Sequence, residues 1–279
     1  MIPAHAGDIL SQLTPAVDTC RAMLLERPQS RTWLKDTPDG RRESVSELDL
    51  AVQEELSAAV RAIVPSASIF SEEGARDPSA LDDDLCFVID PVDGTDLLIA
   101  GQTGFAISVA ILSSRRVLAG LLDFPAQSRR FVCTVGSGTT LNDQPIRVRA
   151  TSALTSARIA ISSTQRAIRN LDPLWSNLGV AELIPTPGFT AKLATILVGD
   201  CDAALYLPIK ARPTFIWDYA AAALLLQEAG GRLTTLDGHA FLQRMPIEHR
   251  DGWLAATDNL HESLQAAVVD ALGMLPGID

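Results

Sequence analysis

The sequence predicts a layered α/β or α+β protein, and three observations carry that prediction. Strand-like and helical patterns come in mixed order, which favours stacked layers of sheet and helix. The apolar runs 105–112, 117–124 and 130–135, separated by short turns, read as an antiparallel meander. A length of 279 residues, 47% hydrophobic and 20% charged, suffices for a large core and excludes a disordered chain.

Taken in order, Ile9, Leu10, Leu13, Val17, Cys20, Met23 and Leu24 fall at helical spacing over 7–27. The segment 28–44 is polar, with Pro38-Asp39-Gly40 as a turn. Ser46 is placed to cap a second amphipathic helix through Leu48, Val52, Leu56, Val60 and Ile63, which Pro65 stops. A short strand at 68–70 leads into Ser71-Glu72-Glu73-Gly74, and 75–84 reads as a polar loop. Cys86-Phe87-Val88-Ile89 reads as a buried strand ending in Asp90-Pro91-Val92-Asp93-Gly94-Thr95, with Thr95 as N-cap of a short helix. After the meander, a strand at 157–161 begins a second α/β half. Helical patterns follow near 165–178, 189–199, 217–229 and 261–272, with strands near 203–207, 232–236 and 253–257. One domain over 1–279 is expected. Possible subdomains are 1–145 and 146–279, with 136–156 the best boundary.

The net charge of −11 disfavours nucleic acid and anionic membranes, which need a basic face. A small anionic substrate remains open, because bound cations invert a local field. Cys20, Cys86, Cys133 and Cys201 are far apart and form no CxxC pair, so buried free thiols are expected. No basic-then-apolar leader opens the sequence, and no run approaches a membrane span. A soluble cytoplasmic protein is expected.

The chemistry gathers on acids. Asp90 and Asp93, three apart around a turn, can share cations beside a phosphate-binding turn. Glu72 and Glu73 follow a neighbouring strand, whose end can converge on the same place; the alternative is solvated surface. Asp218 and Asp49 each sit near a helix start, where an acid also serves as a cap or dipole partner. His5, His239, His249 and His261 lie outside the acidic cluster, with His249 and His261 read as surface. With no nucleophilic triad, Walker A sequence or GxGxxG, metal-activated water fits better than a covalent mechanism.

Together, Ser71-Glu72-Glu73-Gly74, Asp90-Pro91-Val92-Asp93-Gly94-Thr95 and Trp217-Asp218-Tyr219-Ala220-Ala221 through Glu228-Ala229-Gly230-Gly231 resemble the inositol monophosphatase superfamily. That group includes inositol monophosphatases, 3′(2′),5′-bisphosphate nucleotidases and fructose bisphosphatases. The resemblance implies an α-β-α-β-α layered sandwich and Mg²⁺-dependent, lithium-sensitive phosphomonoester hydrolysis by a homodimer. By position, Glu72, Asp90 and the Val92 carbonyl would hold one metal, and Asp90, Asp93 and Asp218 a second. Glu72 would help position a third through water. Thr95, held by Asp49, would help activate water, and Gly94 and Thr95 N–H groups would grip the phosphate. Lys35 resembles a family lysine near the site.

Two features point to a bisphosphate-nucleotidase-like substrate. Pro213-Thr214-Phe215-Ile216-Trp217-Asp218 resembles the Pro-Thr-x-x-Trp-Asp of that group, and Lys192 resembles the lysine of its Ser-Ser-x-Lys. The stretch 205–215 also lacks the acid that contacts inositol hydroxyls in inositol monophosphatases. Lys192, Lys210 and Arg212 could serve a second phosphate or sulfate; Lys210 and Arg212 read equally as exposed loop charges. Against the nucleotidase, Asn142-Asp143-Gln144-Pro145-Ile146 resembles a turn of the inositol and histidinol phosphatases. Inositol-1-phosphate, histidinol phosphate and sugar phosphates remain alternatives, as does a non-catalytic regulator on the same fold.

Overall fold

The computed structural model describes residues 5–26, 30–36, 42–74, 76–208, 212–243 and 245–273. The expected turn at 38–40 and Lys210 lie outside them. Helix α1 (Ala6–Glu26) is followed by a hairpin of β1 (Thr32–Asp36) and β2 (Arg42–Ser46), then by α2 (Glu47–Ile63). Strands β3 (Ser68–Ser71) and β4 (Cys86–Asp93) pair in parallel. The short α3 (Thr95–Ile99) precedes the expected meander of β5 (Ala106–Ser113), β6 (Arg116–Phe124) and β7 (Arg129–Thr134), extended by β8 (Thr139–Leu141) and β9 (Gln144–Ile146). Strands β3 to β9 form one seven-stranded sheet in chain order.

The rest of the chain builds a second sheet, its covering helices and one further strand pair. It comprises β10 (Arg158–Ile161), α4 (Ser163–Arg166), α5 (Asp172–Asn177), β11 (Glu182–Pro185), α6 (Phe189–Leu197), β12 (Ala203–Tyr206), β13 (Thr214–Phe215), α7 (Ile216–Glu228), β14 (Gly231–Thr235), β15 (Glu248–His249), β16 (Trp253–Thr257) and α8 (Asp258–Gly273). The sheet order is β11-β10-β12-β16-β14, while β13 and β15 form a separate pair.

Strand alternation stacks these elements into five layers. In β4, Phe87 and Ile89 pack with Leu13, Val17, Val52 and Leu56 of α1 and α2, whereas Cys86 and Val88 face the cluster of α6 and α7. In β10, Ala160 joins that same α6–α7 cluster, while Ile159 and Ile161 face outward to Leu174, Leu260 and Leu264 of α5 and α8. Helix α7 is thus covered on all sides, which its Ala-rich sequence suits. Gly120 of β6 lets it come close to the sheet: a Cβ there would lie 3.0 Å from the Ala221 carbonyl oxygen.

Several expectations need correction. The helix expected over 165–178 is broken into α4, a 3₁₀ turn at Arg169–Leu171 and α5, with Pro173 inside the second piece. The loop at 75–84 contains a 3₁₀ turn, Pro78–Asp82, that buries Leu81. The N-cap of α3 is Gly94, not Thr95, because the chain turns there at φ +89°. His261 is fully buried, with Nε2 3.0 Å from the Thr234 hydroxyl, and His249 is half-buried with its ring stacked 3.9 Å from Phe241. All four cysteines are buried and free, as expected. Among the described residues, no helix is long and apolar enough to cross a membrane.

Candidate active site

The site forms where β3 and β4 end and α7 begins. Residues three apart on a regular strand face opposite sides of a sheet. The register of β4 shifts between Asp90 and Asp93, and this irregularity turns both carboxylates to one side. Asp90 Oδ1 accepts the Val92 N–H at 3.0 Å, which fixes the turn. Asp218 enters from the first turn of α7, where its Oδ2 accepts the Phe215 N–H at 2.7 Å. It therefore serves as helix cap and cluster member at once. Ligand oxygens of Asp90, Asp93 and Asp218 all lie within 4.8 Å of one another.

Glu72 faces the same cleft from the parallel neighbour strand. Its carboxylate accepts the Lys35 ammonium at 2.8 Å, and Lys35 also bonds Glu73. The β1–β2 hairpin thus inserts a cation beside the acids.

Burial dominates the electrostatics. It raises Asp90 well above the ordinary carboxylate range, helped by the charges of Glu72, Asp93 and Asp218. Asp218 is raised likewise, by burial and then by Asp93 and Glu72. Burial pushes Glu72 up to about 7, against the pull of Lys35. Asp93 is also raised by burial, opposed by hydrogen bonds from Thr190 and by Lys192.

Asp49 is fully buried in the first turn of α2. Its Oδ2 accepts the Ser46 N–H at 2.9 Å in a reciprocal cap, and its Oδ1 accepts the Thr95 hydroxyl at 2.6 Å. The Val92 carbonyl lies 3.2 Å from the same hydroxyl. Gly94 needs its left-handed backbone, and a Cβ there would press on Leu97 at 3.2 Å. Within α3 the first N–H groups have no helix partner.

Lys192, on α6, is 4% exposed and donates to the Gly188 carbonyl at 2.5 Å. Burial brings its ammonium down to about 8, with Asp93 holding it up. Arg212 lines the same cleft of about 380 Å³, as do Ser162, Thr164, Tyr206 and Trp253. Thr190 had no sequence reading of its own, yet its N–H donates to Asp93 Oδ2 at 3.1 Å and its hydroxyl bonds the same oxygen. The available signal was its place in the first turn of α6, behind Gly188.

The model of the inositol monophosphatase family matches residues 12–272. A protein of Pseudomonas aeruginosa named Nus factor SuhB is 32% identical over 213 residues, 73% of this chain and 76% of that protein. An inositol-1-monophosphatase of Bacillus subtilis is 26% identical over 210 residues, 74% of this chain and 77% of that one. A solved IMPase structure from Thermotoga maritima superposes with a TM-score of 0.80 at 20% identity, over 96% of this chain and 99% of the other. That likeness bears on the fold alone. With a family model spanning nearly the whole sequence, the chain belongs to the inositol monophosphatase family.

Proposed function

We infer that this chain hydrolyses small phosphomonoesters with Mg²⁺, by attack of a water held beside Thr95. The observation that carries the reading is the convergence of Asp90, Asp93 and Asp218 in the cleft that Thr95 lines. The donor set fits the ion: carboxylate oxygens suit hard cations. Buried acids with raised proton affinity also call for positive charge. In this reading Glu72, Asp90 and the Val92 carbonyl would hold one ion, Asp90, Asp93 and Asp218 a second, and Glu72 would serve a third through water. Bound ions of this kind lower the pKa of water and offset charge growing on the attacking and leaving oxygens.

The residues of the chain orient and exchange protons. Thr95 commits its proton to Asp49, so its oxygen is left to accept a hydrogen bond from the attacking water. The Ser46 cap holds Asp49, and so Thr95, in place. Glu72, facing the same cleft and paired with Lys35 at 2.8 Å, would position a further water through its carboxylate. The Gly94 and Thr95 N–H groups bind phosphate oxygens.

For the substrate, the favoured reading is a metabolite with a second anionic group, as in a 3′(2′),5′-bisphosphate nucleotide. Support comes from the buried Lys192 and from Arg212, both lining the cleft. The test is phosphate release from 3′,5′-bisphosphoadenosine, inositol-1-phosphate, histidinol phosphate and fructose bisphosphate. The highest kcat/KM is expected for the bisphosphate nucleotide, with Lys192→Ala losing tenfold or more on that substrate alone. Preference for inositol-1-phosphate, untouched by Lys192→Ala, would reject the nucleotidase reading. No release from any substrate would reject the phosphatase.

The Nus factor name of the Pseudomonas relative favours a second reading, a regulatory role separate from catalysis. An Asp218→Asn chain that loses phosphate release yet keeps its cellular role would support it. A cytoplasmic, Li⁺-inhibited homodimer completes the proposal, and light scattering and a Li⁺ titration test the last two parts.

A further inference from the structure

Arg76 stands outside the acid cluster but grips both segments that supply it. Its Nε donates to the Glu72 carbonyl at 3.1 Å, and Nη2 bonds the same oxygen. Its guanidinium carbon lies 4.9 Å from the ring centroid of Trp217, the residue before Asp218. Phe70, two residues before Glu72, contacts the same indole at 5.9 Å. Phe215 stacks on it at 4.7 Å and gives its N–H to Asp218. The Glu72 segment therefore grasps the Trp217 ring from two points, before and after Glu72. Trp217 is 4% exposed, and Arg76 covers it from a half-buried position.

We propose that Arg76 is a positioning residue that sets the spacing of Glu72 from Asp218 and thereby the affinity of the site for divalent cations. Glu72 comes from the end of a strand and Asp218 from a helix start in the other half of the chain. Covalent connection between them is remote, so their relation depends on side-chain contacts across the gap. Arg76 ties the Glu72 carbonyl to the ring next to Asp218 without placing its own charge on either carboxylate. The proposal rests on the reading of Glu72 and Asp218 as cation ligands.

The test is calorimetric titration of the full chain with Mg²⁺, without substrate. Arg76→Ala is expected to weaken binding roughly tenfold, through loss of both hydrogen bonds to the Glu72 carbonyl and of the cation–π contact. Arg76→Lys should recover part of this, because an ammonium keeps the charge over the indole and one donor. In a Glu72→Gln background, Arg76→Ala should cost nothing further, since its effect runs through Glu72. Equal loss in both backgrounds would mean a general structural role and overturn the proposal. So would an unchanged affinity in Arg76→Ala. If Arg76→Ala does not fold, the same comparison of backgrounds is made with Arg76→Lys, whose unchanged affinity would likewise overturn it. A parent chain that binds no Mg²⁺ overturns the cation reading and Arg76's role with it. Binding that is indifferent to Arg76 overturns this inference alone.

Discussion

Replacing Asp90 by Asn keeps the shape of a buried side chain and removes one charge from the cluster. Asn keeps an oxygen for the Val92 N–H, which Asp90 accepts at 3.0 Å. The gain comes from relieved repulsion. Two like charges at the 4.8 Å limit of this cluster repel by about 3 kcal/mol at an effective permittivity of about 20. Protonation of the raised acids lessens that figure, so a gain of about 1–2 kcal/mol is expected for the metal-free chain. At about 2–4 °C per kcal/mol this raises Tm by several degrees. The same change removes a ligand proposed to serve two ions. The parent chain, at Mg²⁺ about a hundredfold above its Kd, gains about 2.7 kcal/mol, and the variant gains little. Differential scanning calorimetry with chelator and then with Mg²⁺ reads both effects. A lower metal-free Tm in Asp90→Asn would refute the argument that these acids repel one another and await a cation.

Three further outcomes follow from the same geometry. Thr95→Val keeps volume but removes the hydroxyl bonded to Asp49 at 2.6 Å, so kcat should fall by about 10²–10⁴ with Mg²⁺ affinity little changed. Glu72 is raised from its ordinary value to about 7, so its carboxylate gains charge, and the metal-free fold loses stability, as pH rises from about 4.5 through 7. Mg²⁺ affinity, measured by titration at several pH values, should tighten as pH rises over that interval. His261 is displaced the other way, down to about 4 by burial, so the unfolded chain takes up its proton first as pH falls from 6.5. Stability lost between pH 6.5 and 4 should be smaller in His261→Gln than in the parent, as read by urea midpoints.

How much of this was legible in the sequence varies with the source of each feature. The apolar run Cys86-Phe87-Val88-Ile89 and the spaced strands of the meander are local patterns, and they give β4 to β7 directly, whereas the three-residue β8 and β9 carry no such run. Ser46 was readable as a cap because its partner, Asp49, lies three residues on. The break at Arg169–Leu171 was not, since Leu171, Leu174 and Leu178 still fall at helical spacing. Burial of His261 depends on β14 and β16 closing over α8, which a single segment cannot display.

The acids divide along the same line. Asp90 and Asp93 are close in sequence and stood out at once. Asp49 and Asp218, taken alone, read first as helix-start acids, and the structure gives both that capping duty while placing Asp218 in the cluster and Asp49 behind Thr95. Thr190 and Arg76 matter only through contacts with residues they adjoin in space: Asp93 for the first, Trp217 for the second.

The central claim is that cations held by Asp90, Asp93 and Asp218 enable water to cleave a phosphomonoester. Its most direct test is the initial rate of phosphate release from the best substrate, measured after chelation and then across a Mg²⁺ titration. No rate is expected with chelator, with full recovery on adding Mg²⁺ and no recovery at any Mg²⁺ concentration in Asp218→Asn. Phosphate release that persists with chelator, or that Asp218→Asn leaves intact, would contradict it.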